Sequence, residues 1–242
     1  MTLSRRDTFV LTAAAAAMSV CGLGTAAAAE GDMLDVAKLM APAEGYVDHI
    51  LGDAAAPVTV IEYASVTCPH CATFSNDVYP AFKSAYIDSG KVRFVLRPFM
   101  RNTEDARVFM IAEAAQREKY HEVIEAYFKT QEVWINSEPE LQGVALQLGF
   151  TKESIAAALD DTPENQKRFA QLNALRNQAL DEFGLEGTPT FYINGKQLTG
   201  DKTLEQLAAE IDPLVPSGFV AKTPDTATPA VPAVETSTPV AQ

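Results

Sequence analysis

The chain is poor in cysteine, histidine, tryptophan and positive charge. Three cysteines, three histidines and one tryptophan stand among 242 residues. Lysine and arginine total 19 against 32 aspartates and glutamates, giving a formal charge of −13. So acidic a chain argues against a nucleic-acid partner, because neutralising phosphates with Lys and Arg drives that affinity. The charge bears on solubility rather than on fold. Long, strongly apolar runs are also missing. The run from Phe9 to about Leu23 is rich in Ala and falls short of the about 20 strongly apolar residues of a transmembrane helix. No internal repeat is visible. About 185 residues, from Glu30 to Val215, remain to fold, enough for one well-cored domain.

Both ends read differently from that middle. Residues 1–29 have the plan of a signal peptide: Arg5 and Arg6, then the apolar run, then Ala27-Ala28-Ala29 as a small-residue cleavage site. Ser4-Arg5-Arg6 hints at twin-arginine export, and the general secretory route stays open beside it. Cys21 is expected to leave with the signal, since Val20 before it is bulky for a lipidation site. Cleavage removes Arg5, Arg6 and Asp7 and takes the charge from −13 to −14. The expected location is the periplasm. Residues 30–54 form a short extension with one helix expected near Leu34–Met40. Residues 216–242, mostly Ala, Thr, Pro and Val toward the end, lack the apolar surface to offset chain entropy and read as a disordered tail.

The middle alternates in period. Val58-Thr-Val-Ile-Glu-Tyr63 is a β-branched run, a buried strand. A helix from Thr67 to about Ile87 follows, then a second strand, Val92-Arg-Phe-Val-Leu96. Tyr120, Val123, Ile124, Tyr127 and Phe128 form one apolar helix face. Leu141, Val144, Ala145 and Leu148 repeat the spacing, and Phe169, Leu172, Leu175, Leu180 and Phe183 mark a third face. Pro163 suits the first turn of that last helix. Thr190–Ile193 is a third strand, Asn194-Gly195 a hairpin turn, and Gln197-Leu198 opens a fourth strand. Thr203 and Gln206 form a capping box for a final helix to about Ile211. This order predicts an α/β fold: a mixed sheet of four to five strands with helices on both faces. Its first two strands are parallel and its last two antiparallel. The helical stretch of about 103–183 is an inserted subdomain.

Cys68-Pro69-His70-Cys71 is the one cysteine pair left after export. A structural zinc site normally needs four ligands, and His49 and His121 are distant in sequence, so no metal is assigned. A structural disulfide closing so short a loop would constrain the unfolded chain little. Reversible redox chemistry fits better. The pair follows a strand and opens a helix, so Cys68 meets free N–H groups and the positive end of the dipole, which stabilise a thiolate. Cys68 is expected to be the exposed nucleophile and Cys71, one turn in, the buried resolving thiol. His70 either adds charge or a hydrogen bond to the Cys68 thiolate, or is a solvent-facing spacer.

The segment Glu62-Tyr-Ala-Ser-Val-Thr-Cys-Pro-His-Cys71 resembles the active-site run of the DsbA-like thiol–disulfide oxidoreductases, a thioredoxin-fold family. Gly187-Thr-Pro-Thr-Phe191, followed by Asn194-Gly195, resembles their second active-site loop. The likeness covers roughly residues 50–215, helical insertion included. It implies a thioredoxin-like domain over 55–215 with no cofactor. It implies a cis bond before Pro189, with Thr188 and Pro189 packed beside the cysteines to pair with an extended substrate. It gives Glu62 the role of a buried acid serving the buried thiol; the residue pattern alone also allows a strand-end Glu facing water. The best-known oxidases carry Val where Thr188 stands here. Related isomerases usually dimerise through a sizeable N-terminal domain, for which residues 30–54 are too few. The resemblance thus implies a monomeric oxidase acting on cysteine-containing exported proteins and recharged by a membrane partner. A reductase or isomerase kept reduced by such a partner is the alternative within the class. A Cu(I)-binding protein using the two thiolates is the alternative outside it.

Overall fold

The computed structural model describes residues 30–222. The signal-peptide reading of 1–29 and most of the expected tail, 223–242, lie outside the described residues. Five strands form one sheet: β1 (Ile50–Leu51), β2 (Val58–Ala64), β3 (Val92–Pro98), β4 (Thr190–Ile193) and β5 (Lys196–Thr199), in spatial order β1-β3-β2-β4-β5. β2 runs parallel to β3, and the other three pairings are antiparallel. All seven residues of β2 are buried, as expected of a central strand covered on both faces. Alternation then splits the core. Val60, Phe94 and Phe191 face the larger cluster, while Ile61, Val95 and Tyr192 face a smaller one with Leu39, Ala179 and Phe183.

The hairpin between β4 and β5 turns on Asn194 and Gly195, at φ 45° and 96°. Two successive positive φ values are the two-residue turn that Asn-Gly favours. Asn194 also accepts from the Thr59 N–H at 2.8 Å, tying the turn to β2. A side chain at 195 would collide with the Leu34 carbonyl.

After β2 the chain is helical over residues 69–87, with wide π-helical turns at Phe74–Val78 and Lys83–Ile87. Pro80 lies just past the first of these and has no N–H to continue the ordinary ladder. The long insertion consists of the helices Thr103–Ala114, Tyr120–Lys129, Gln131–Trp134, Glu138–Gln147, Lys152–Leu159 and Pro163–Asp181. The face expected from Tyr120 to Phe128 is buried throughout. The face expected around residues 169–183 is corrected. Leu172, Leu175, Ala179 and Phe183 are buried, but Phe169 and Leu180 are 44% and 37% exposed. The small Ala179 takes the contact position that the sequence pattern assigned to Leu180. The final helix, Leu204–Ile211, opens on the Thr203–Gln206 capping box.

Residues 30–54 do more than hold the short helix Val36–Leu39, capped by Asp35. At one end, Gly31 and Leu34 donate to Gln197 and Gly195 on the β5 side. At the other, Ile50–Leu51 adds an edge strand to β3. Between them Asp48 takes two hydrogen bonds from Arg97, at 2.9 and 2.7 Å. Arg97 is fully buried and also donates to the Tyr63 hydroxyl at 2.9 Å. At the far end of the described residues, the Lys222 N–H donates to the Ser89 carbonyl at 2.9 Å and its ammonium pairs with Asp53.

Candidate active site

Strand β2 ends at Ala64, and Ser65–Thr67 turn the chain into the helix that starts at Pro69. Cys68 is the N-cap of that helix, at φ −86° and ψ 121°, and Pro69 occupies its first turn without a missing hydrogen bond. As a protonated thiol, Cys68 Sγ lies 3.2 Å from the Thr188 carbonyl and donates to it, a bond that ionisation of the sulfur removes. The Thr188–Pro189 peptide is cis. Cys68 is only 3% exposed, against 0% for Cys71. The expectation of an exposed nucleophile is therefore corrected: the Thr188 loop lies over the sulfur.

The two thiols are driven apart. Cys68 is lowered to about 5, first by a hydrogen bond from the Cys71 thiol; the Thr188 side chain and the N–H groups of Cys71 and His70 add to it, and burial opposes. The Thr188 hydroxyl is buried without another partner among the described residues, which leaves it for the thiolate. Cys71 is pushed well above the ordinary thiol range, chiefly by burial, and further by its bond to Cys68 and by the Glu62 charge. One sulfur is thus a thiolate at neutral pH and its neighbour a protonated donor.

Glu62 sits mid-strand in β2, opposite Leu96 and Phe191, and is 2% exposed. Burial, and then the Cys68 charge, raise its carboxyl to about 8. Its Oε1 has no partner among the described residues. It borders a cavity of about 10 Å³ also lined by Tyr79, His121 and Glu125, room for one water. Glu62 is therefore a neutral acid at neutral pH, electrostatically coupled to both cysteines.

His70 lies on the surface. Its Nδ1 is 2.7 Å from Asp201 Oδ2, and that carboxylate raises its pKa, with a smaller push from the Cys68 charge. The ring's hydrogen bond goes to Asp201 while its backbone N–H faces Cys68, so the side chain acts on the sulfur through charge. Asp201 was not foreseen: an acid just after β5 carries no local mark of a partner at position 70. Among the described residues no group of three His, Cys, Asp or Glu side chains converges to hold a metal. Among them too, no helix is long and apolar enough to cross a membrane.

A family model described as Thioredoxin matches residues 46–213, most of the described chain. The chain belongs to the thioredoxin family. Within it, the likeness is to DsbA-like members. The crystal structure of Wolbachia pipientis alpha-DsbA1 superposes with a TM-score of 0.66 at 27% identity, covering 73% of this chain and 94% of that one. A Rickettsia bellii protein carrying the provisional name of protein-disulfide oxidoreductase is 30% identical over 172 residues, 68% of this chain and 63% of that protein. Disulfide bond formation protein D of Bacillus subtilis is 24% identical over 169 residues, 67% of this chain and 75% of that protein. The chain thus spans about six-tenths of the length of the rickettsial relatives it matches. The thioredoxin-family sheet, its helical insertion and the cysteine pair at the end of β2 form one consistent picture.

Proposed function

We propose that the protein is a periplasmic thiol–disulfide oxidoreductase that introduces disulfides into exported proteins. The observation that carries this reading is the opposed state of two neighbouring thiols: Cys68 as a helix N-cap at about 5 and Cys71 buried and protonated. Stabilising the Cys68 thiolate stabilises the reduced form and so makes the disulfide form oxidising. In the oxidised protein a substrate thiolate attacks Cys68 Sγ, and the Cys68–Cys71 bond breaks. Cys71 leaves as a thiolate and takes a proton from neutral Glu62. A second substrate thiolate then attacks the substrate sulfur of the mixed disulfide. Cys68 departs as a thiolate, and the substrate leaves with its disulfide. Two electrons have passed to the pair, and a membrane partner that accepts them restores the disulfide. Thr188 and Pro189 hold the substrate chain beside the sulfur. Residues 30–54 are taken up by the protein's own sheet edges, which favours a monomer.

The test is oxidation of a reduced, unfolded model protein by the oxidised chain. Cys68→Ala should abolish it, and Cys71→Ala should accumulate mixed disulfides through Cys68. Mixed disulfides through Cys71 in Cys68→Ala, at comparable yield, would overturn the assignment. A reductase or isomerase is distinguished by net loss or reshuffling of disulfides in the same assay.

A further inference from the structure

Two side chains of the helical block reach the loop that carries Cys68, and the exchange chemistry above uses neither. Gln131 is buried at the start of the helix Gln131–Trp134. Its Nε2 donates to the Val66 carbonyl at 2.7 Å and to the Cys68 carbonyl at 3.0 Å. Asp105, fully buried in the first turn of Thr103–Ala114, accepts from the Thr67 N–H at 2.9 Å and the Arg101 N–H at 2.8 Å. It also accepts from the Ser65 hydroxyl.

These bonds fall on particular peptide groups. The Val66 carbonyl and the Thr67 N–H belong to one planar unit. Gln131 holds one end of that plane and Asp105 the other, so it cannot rotate without breaking a buried bond. The next unit but one joins Cys68 to Pro69 and has no N–H. Its carbonyl is the single handle, taken by Gln131 and by the Ala72 N–H at 3.1 Å. Fixing that plane restrains ψ of Cys68, and with it the direction of its Cα–Cβ bond, from which the sulfur reaches the first N–H groups of the helix.

We propose that Gln131 and Asp105 are positioning residues of the redox site, gripping the peptide planes around Cys68 so that its sulfur stays over the N–H groups of His70 and Cys71. The proposal rests on the reading of Cys68 as the reactive thiolate. It gives the helical block a part in setting thiol reactivity through the backbone.

The test is thiolate titration of the reduced full chain by ultraviolet absorbance. Gln131→Met keeps the volume and removes the donors. It should raise the Cys68 midpoint, with about five-fold less thiolate at mildly acidic pH, the worth of one net hydrogen bond. Leu141→Ala opens a cavity elsewhere in the block; it should lower Tm and leave the titration in place. Asp105→Leu removes the acceptors together with the charge. Losing a negative charge by itself would lower the Cys68 midpoint, whereas losing the grip raises it, and a rise is expected. Should Gln131→Met fail to fold, Gln131→Leu, which has neither donor nor charge, carries the same expectation. A Gln131 variant titrating with wild type, Leu141→Ala shifting Cys68 equally, or Asp105→Leu lowering the midpoint would overturn the proposal. A wild-type chain with no low thiol titration would instead remove the redox reading on which it rests.

Discussion

Cys68 and Cys71 are both nearly out of solvent, yet their thiols move in opposite directions. The difference lies in donors. Cys68 receives the helix N–H groups and the Cys71 thiol, while Cys71 faces apolar neighbours and the Glu62 carboxyl. The motif made the first half readable from sequence, since a cysteine after a strand and before Pro69 is an N-cap candidate. Its burial was not readable, because Thr188, which covers it, lies 120 positions away. Glu62 gives a pH test. Its folded pKa is raised to about 8, whereas an unfolded Glu titrates near about 4.3. Below the unfolded value both states are protonated and nothing is lost. As pH climbs toward the folded value, the unfolded state ionises first, and each pH unit costs about 1.4 kcal/mol of stability. Urea denaturation of the reduced protein between those limits should show Glu62→Gln flatter with pH than wild type. Parallel pH profiles would show that Glu62 ionises freely in the folded state. His70→Ala should raise the Cys68 midpoint by removing a nearby positive charge. Asp201→Asn should move it less, because the His70–Asp201 pair is exposed and such pairs are weak. Titration of both variants checks the order.

At the scale of elements, signals that act within a few residues were legible. The Asn194-Gly195 turn, the Thr203–Gln206 capping box and Pro163 at a helix start each depend on neighbours in sequence. Elements defined by distant partners were not. β1 has two residues and exists because β3 offers an edge. The Pro163–Asp181 helix has the expected period, but which apolar residues face inward was set by what it packs on, so Phe169 and Leu180 stayed outside. Asp48 gives no sequence hint of Arg97, 49 positions on. That buried pair joins the N-terminal extension to β3. Asp48→Ala leaves the guanidinium uncompensated and should cost about 3–5 kcal/mol, the usual penalty for breaking a buried pair from one side. A loss below ~1 kcal/mol in urea denaturation, the range of an exposed pair, would mean that water solvates Arg97.

At the scale of the whole molecule, the sheet and the insertion converge on the end of β2, where Cys68 stands, while the extension braces β3 and the β4–β5 hairpin. The segment after Lys222 brings only Ala, Thr, Pro, Val and a few polar residues, too little apolar surface to build a core. Deleting residues 223–242 should leave Tm and the exchange rate unchanged, whereas a deletion that also removes Lys222 loses its bonds to Ser89 and Asp53. A clear fall in Tm for the shorter deletion would show that those residues dock on the domain. Whether Cys68 and Cys71 form an oxidising pair is measured directly by equilibration with glutathione buffers of defined ratio. One two-electron transition, lost in Cys68→Ala, is expected at a potential more oxidising than about −180 mV, the value typical of protein disulfide isomerase. A transition near about −270 mV, where thioredoxin lies, or no glutathione-dependent transition at all, would contradict the oxidising reading.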